Sequence, residues 1–376
     1  RRYVTEGGRV IPGASTIHFD EISRKRIFQA IDNANFSDIK LIRENYTNLK
    51  NKLGHIPALA DFDKYGEMDV LRIFDNNSLG SYYKFLVKYE KEYTIRLSED
   101  EEKVIEFISK KLASGKRIHE LELLKRTLQY HHGIIGHLQK HLSEKYHSEM
   151  DEYCTENVIN MMTNEFPTSA AKKTYAQCVF LKKEQDDYGI SDVYGKMLQN
   201  PEFCAILEEL VDFGISRYKV NYSYHYQDTN LVLYQKYTYE DACRLLNWER
   251  NDKKTKTFPI FINYDKQDNI SDTTKYEDHF VAENRLIAIS KSGRSMDSED
   301  VQNFLNATER GIDVQLFVRK NKDDKISKEF YYLGRVIATG NAKQFVMPNT
   351  DKMAVEIEWE LETPVREDIY QYIVNE

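Results

Sequence analysis

The stretch Gly311–Val336, GIDVQLFVRKNKDDKISKEFYYLGRV, decides how the C-terminal part of the chain is read. Val314, Leu316 and Val318 recur at every second position. Val355, Ile357, Trp359 and Leu361 do the same in Ala354–Val365, AVEIEWELETPV. A period of two turns one side of an extended chain toward a core and the other toward water, so both segments predict strands with one buried face. Serine, lysine and arginine crowd the connections, as in SKSGRS (Ser290–Ser295) and FVRKNK (Phe317–Lys322). That pattern suits a reader of something large and polar better than a pocket for a cofactor.

Upstream the periodicity changes to helical. Asp20 predicts a cap for a helix through Asn33, with Ile22, Ile27, Phe28 and Ile31 on one face. Ser37 opens a second helix and Gly54 closes it. Ser81 opens SYYKFLVKYEKEY, and Ser98 with Glu101 forms a capping box for EDEEKVIEFISKKLA, closed by Gly115. HELELLKRTLQYHH and GIIGHLQKHLSEKY read as two helices broken at Gly133, and Asn157–Phe166 as a helix ended by Pro167. AQCVFLKKE suits a short strand or a helix. VYGKMLQ and PEFCAILEELVDFGISRYKV read as helices, with Pro201 in a first turn. Seven tyrosines then fall between Tyr218 and Tyr239, and a small helix, YEDACRLLNW, follows Thr238. The expected fold is therefore α+β. A helical N-terminal domain spans 1–215, subdivided near 97 and 167 and with winged-helix-like pieces. A β-barrel-like domain with one or two short helices spans 216–376.

The 376 residues are 41% hydrophobic and 12% aromatic, enough for two or three packed cores. No run of about 18 apolar residues predicts a transmembrane helix, and no apolar N-terminal segment predicts a signal peptide. The first residue is Arg1, which predicts a fragment of a longer protein. Cys154, Cys178, Cys204 and Cys243 lie far apart without a CxxC pair, which fits reduced thiols and a cytoplasmic location. The net charge of -8 is unevenly spread: 216–343 holds 21 Lys/Arg against 19 Asp/Glu, whereas 347–376 carries -6. A near-neutral domain can still present a basic face.

Catalytic signatures are missing. There is no GxxxxGK[ST], GxGxxG, GxSxG or His-x-Lys, and no proline is followed by aspartate. Six histidines (His119, His131, His132, His137, His141, His147) cluster, and His137 and His141 share the i, i+4 spacing of zinc ligands. Leu138 stands where a catalytic HExxH needs glutamate, and no cysteine pair completes a site, so surface or packing roles outweigh a metal. Glu277–Asp278 and Asp297/Glu299 read as solvated turns ahead of acid–base or Mg²⁺ roles. Three basic–aromatic groups carry more weight: Arg244, Trp248, Arg250, Lys253, Lys254 and Lys256; Ser290, Lys291, Ser292, Arg294 and Ser295; and Arg319, Lys320 and Lys322. Lysine and arginine neutralise phosphates, serine hydroxyls bond phosphate oxygens, and a tryptophan stacks on an unpaired base. The competing reading is a set of solvated loops around a core tryptophan.

Tyr237–Tyr264, Tyr276–Phe280 (YEDHF) and Gly311–Val336 resemble the C-terminal domain of unknown function 3427 of bacterial superfamily 2 DEAD/DEAH helicases. That domain often stands behind a phospholipase D-like nuclease. GGRVIPGASTIHFDEISRKRIFQAI (Gly7–Ile31) is similar to the segment past the last helicase motif, and KNKLGHIPALADF and SLGSYYKFL to the helical region after it. The resemblance implies a noncatalytic, DNA-engaging and regulatory C-terminal region of a helicase–nuclease of restriction or anti-phage defence. ATP and Mg²⁺ would belong to the upstream core, which is also a partner, and the fragment itself would hold no cofactor, no metal and no catalytic residue. By analogy with base-reading domains of the B3 or SRA kind, Arg244, Trp248, Lys253, Lys254, Lys256, Lys291, Ser292, Arg294, Arg319 and Lys320 are the expected DNA contacts. The competing expectation is a module for protein interaction or homo-oligomerisation, which regulates the helicase core or senses a phage protein. No membrane partner is expected.

Overall fold

The computed structural model describes residues 39–165, 169–248, 256–265, 278–321, 328–347 and 350–374. The expected Asp20–Asn33 helix, Ser37, Arg250, Lys253, Lys254 and Lys322 lie outside the described residues. Two compact units divide between Tyr224 and His225. The division falls beyond the expected 215/216 because one helix runs straight through that point to Asn221. It carries Phe213, Ile215 and Tyr218 into the core of the first unit.

The first unit holds α1 (Ile39–Leu53), α2 (Leu59–Tyr65), α3 (Leu71–Asp75), α4 (Tyr82–Tyr89), α5 (Glu99–Lys111), α6 (His119–Thr127), α7 (Ile134–Tyr146), α8 (Glu152–Met162) and α9 (Ser169–Thr174). A hairpin, β1 (Leu181–Lys183) and β2 (Tyr188–Ile190), precedes α10 (Asp192–Met197) and α11 (Pro201–Asn221). The expected Ser81 and Ser98 caps are present. The Ser98 hydroxyl accepts from Glu101 N, and the Glu101 carboxylate accepts from Ser98 N. Four acids fill the first turn of α5 and two lysines its last, the arrangement the helix dipole favours. AQCVFLKKE resolves as strand β1, antiparallel to β2.

α6 is enclosed, with every residue from His119 to Leu124 buried. Its charged side chains are answered internally. Arg117 pairs with Glu120 and donates to Asn157 at 2.8 Å. Glu122 accepts from the Tyr146 hydroxyl at 2.5 Å and lies beside Arg126 and His141. α7 begins at Gly133, at φ +61° with no side chain to cap the helix. The cap comes from the hairpin turn instead: Asp187 accepts from Ile135 N at 3.0 Å and Gly136 N at 2.9 Å. Ile190 N donates to His131 O and fixes the hairpin there.

The second unit holds β3 (Lys236–Thr238), α12 (Tyr239–Leu245), β4 (Thr257–Asp265), β5 (His279–Ala282), β6 (Arg285–Ile289), α13 (Glu299–Leu305), β7 (Asp313–Asn321), β8 (Glu329–Val346), β9 (Met353–Leu361) and α14 (Glu367–Val374). The strands form one sheet in the order β4-β7-β8-β9-β6-β5, with β3 added to β8. β4 and β7 are parallel and the other pairs antiparallel. Among the described residues no ladder joins β4 to β5, so the barrel-like sheet stays open. Its two ends still approach, since Phe280 N donates to the Tyr264 hydroxyl at 3.3 Å. β8 is shared: its first part pairs with β3 and β7, its last part with β9.

On β9 the period of two holds, with Val355, Ile357, Trp359 and Leu361 buried and Glu356, Glu358 and Glu360 on the outer side. On β7 it does not. Val314, Leu316 and Val318 pack in one core with α13 and α14, yet Gln315 and Phe317 are also buried. Tyr237, Tyr332 and α12 cover that second side, and the Tyr332 hydroxyl donates to Gln315 at 2.6 Å. Alternation on β7 thus marks two buried faces rather than one. Gly334, at φ +97°, sits where the β7–β8 register shifts.

Candidate nucleic-acid interface

The ten expected contact residues do not converge. Lys253 and Lys254 lie outside the described residues. Arg244 is 9% exposed on α12 and holds Asp241 at 3.3 Å. Lys320 is 8% exposed, donates to Tyr372 O and lies over the Tyr372 ring. Both are tied into the interior, the wrong setting for a phosphate contact, because each sits on the buried side of its element. Trp248 ends the α12 turn, its N–H donating to Cys243 O, and is half-buried. Burial pushes the Cys243 thiol beneath it up to about 12.

The remaining cations occupy three places, with Lys256 and Lys291 exposed and Arg319 half-buried. Lys256 opens β4, where its carbonyl accepts from Asp313 N at 2.7 Å. Burial raises the Asp313 carboxyl against the pull of Arg335. Arg319 lies six residues along the β4–β7 ladder, paired with Asn263, roughly 20 Å away at strand rise. The third place is the Ser290–Ser295 loop. Gly293 N and Arg294 N both donate to Met353 O, and Val355 N donates to the Ser290 hydroxyl, which pins the loop against the start of β9. Lys291 and Ser292 stand exposed on it, whereas Arg294 is held by Asp300 at 2.6 Å. Lys343 and Lys352 are exposed on the neighbouring β8–β9 hairpin, with Glu356 and Asp351 beside them.

Arg319 has the most organised surroundings. Its guanidinium lies 4.4 Å from the centre of the Phe330 ring, and its Nε donates to Asn263 at 2.5 Å. Phe330 meets Phe261 at 5.1 Å, and Phe261 meets Tyr239 at 4.7 Å. Sequence reading singled out Arg319 and the Tyr218–Tyr239 cluster to which Tyr239 belongs, but not Phe261 or Phe330, because strand aromatics look like core until β4 and β8 are placed on either side of β7. Of the tyrosine cluster, Tyr218 and Tyr237 are core, while Tyr224 and Tyr239 remain exposed.

Among the described residues no three His, Cys, Asp or Glu side chains gather as a metal site. His119 is buried, and His131, His132, His137 and His147 are exposed. No helix among the described residues is long and apolar enough to cross a membrane.

No curated protein matches the chain. Residues 42–221 match the domain of unknown function DUF8090. Residues 231–373, the whole of the sheet and its helices, match the domain of unknown function DUF3427, the family that Tyr237–Tyr264 and Gly311–Val336 resemble.

Proposed function

We propose that the chain is a noncatalytic, DNA-engaging and regulatory region of a cytoplasmic helicase–nuclease of restriction or anti-phage defence, working with ATP- and Mg²⁺-dependent domains upstream. The observation that carries the DNA contact is Arg319, oriented by Asn263 and backed by Phe330. An arginine held in this way has little freedom left to lose on meeting a phosphate or base. Lys256, Lys291 and Ser292 supply further exposed contacts to a backbone. Fluorescence anisotropy of the chain with labelled DNA tests this. Affinity should fall steeply as salt rises, and Lys291→Ala with Arg319→Ala should weaken binding and flatten the salt slope. Absence of binding at low salt would remove the proposal.

A second reading, a protein-interaction module, draws on the outer row of β9. Glu356, Glu358 and Glu360 lie side by side there, and Val346 and Met353 are exposed as a cross-strand pair at the hairpin end. A concentration-dependent dimer indifferent to DNA, seen by light scattering, would favour it.

A further inference from the structure

The rings around Arg319 form a row that runs from the core to water. Phe317 is fully buried and stacks on Phe261 at 5.0 Å; Phe330 is 6% exposed; Tyr239, at the outer end, is 48% exposed. Arg319 and Tyr239 therefore flank the same two rings, one through Phe330 and the other through Phe261. Tyr239 is held firmly for an exposed side chain. It is the first residue of α12, directly after Thr238, whose hydroxyl accepts from Asp241 N and which pairs with Glu329 in the β3–β8 ladder. An exposed ring on a rigid mount, backed by buried rings, offers a flat surface to a planar ligand.

We infer that Tyr239, supported by Phe261, is a stacking platform for an unpaired nucleobase. The ligand class is thus single-stranded or locally opened nucleic acid. This rests on the nucleic-acid reading above and specifies its ligand. Bases stacked on aromatic side chains contribute a sequence-tolerant attraction. A duplex hides its base faces and cannot use such a platform.

Anisotropy of the whole chain with three labelled probes of equal length tests this: an oligothymidine, an abasic strand and a blunt duplex. The oligothymidine should bind tightest. Tyr239→Ala should weaken it about tenfold, toward the abasic strand, and Tyr239→Phe should keep it. Equal affinity for oligothymidine and abasic strand, or preference for the duplex, would overturn the platform while leaving the phosphate contacts standing. Failure of all three probes to bind would overturn both.

Discussion

Asp187 is a helix cap supplied from a distant hairpin, because Gly133 has no side chain with which to cap α7. Asp187→Ala should cost about 0.5–2 kcal/mol in urea unfolding, the range of a lost N-cap, and Asp187→Asn should recover part of it. Glu90 predicts a pH dependence. Burial would raise its carboxyl, but hydrogen bonds from Lys50 at 2.9 Å and the Tyr46 hydroxyl at 2.6 Å outweigh burial and hold it below the ordinary carboxylate value. A depressed folded pKa contributes stability above the unfolded value, about 4.3 for glutamate, and loses it as pH falls through the folded value. Wild type should therefore exceed Glu90→Gln by a constant margin above about pH 5 in urea titrations, and that margin should shrink in acid.

At the scale of elements, the helices were the most legible part. Ser81, Ser98, Thr238 and Pro201 open helices where their chemistry predicts, since a cap acts within one turn. The α7 cap was not legible, because its donors and acceptor are more than fifty residues apart. Nor was the burial of Arg244 and Lys320: a cation in a basic run looks solvated until the helix or strand that carries it is turned inward. The Arg117–Glu120 pair is such a case, with both side chains sealed. Arg117→Ala should destabilise the first unit by roughly 3–5 kcal/mol, since it removes the guanidinium that answers the buried Glu120 carboxylate; thermal melting would read this. In the sheet, Gly334→Ala must take φ +97° with Leu233 and Tyr226 at 3.2 and 3.4 Å from the added carbon. A loss of roughly 1–3 kcal/mol is expected there.

Over the whole molecule, the two cores share no residue: one is built from Ile42 to Tyr218, the other from Ile262 to Ile373. Chains cut between Tyr224 and His225 should each fold, which circular dichroism and proteolysis of the two pieces would check. The 225–376 piece should keep the oligothymidine binding of the whole. The fold class was readable because period two and period 3.6 occupy different halves. The candidate interface was only partly readable. Composition gathers Trp248, Lys256, Lys291 and Arg319 into one basic list, while strand order separates them.

The parallel β4–β7 pair sets an order of events during synthesis. β4 leaves the ribosome as TFPIFINYD, but the strand that receives it follows only after β5, β6 and α13 have emerged. At roughly 5–20 residues per second that interval lasts several seconds, during which an apolar segment waits without its ladder. Pro259 is its third residue and removes one backbone donor, which weakens any premature pairing with a neighbouring nascent chain. Replacing that proline with valine would leave the finished sheet nearly intact and make its birth the hazardous step.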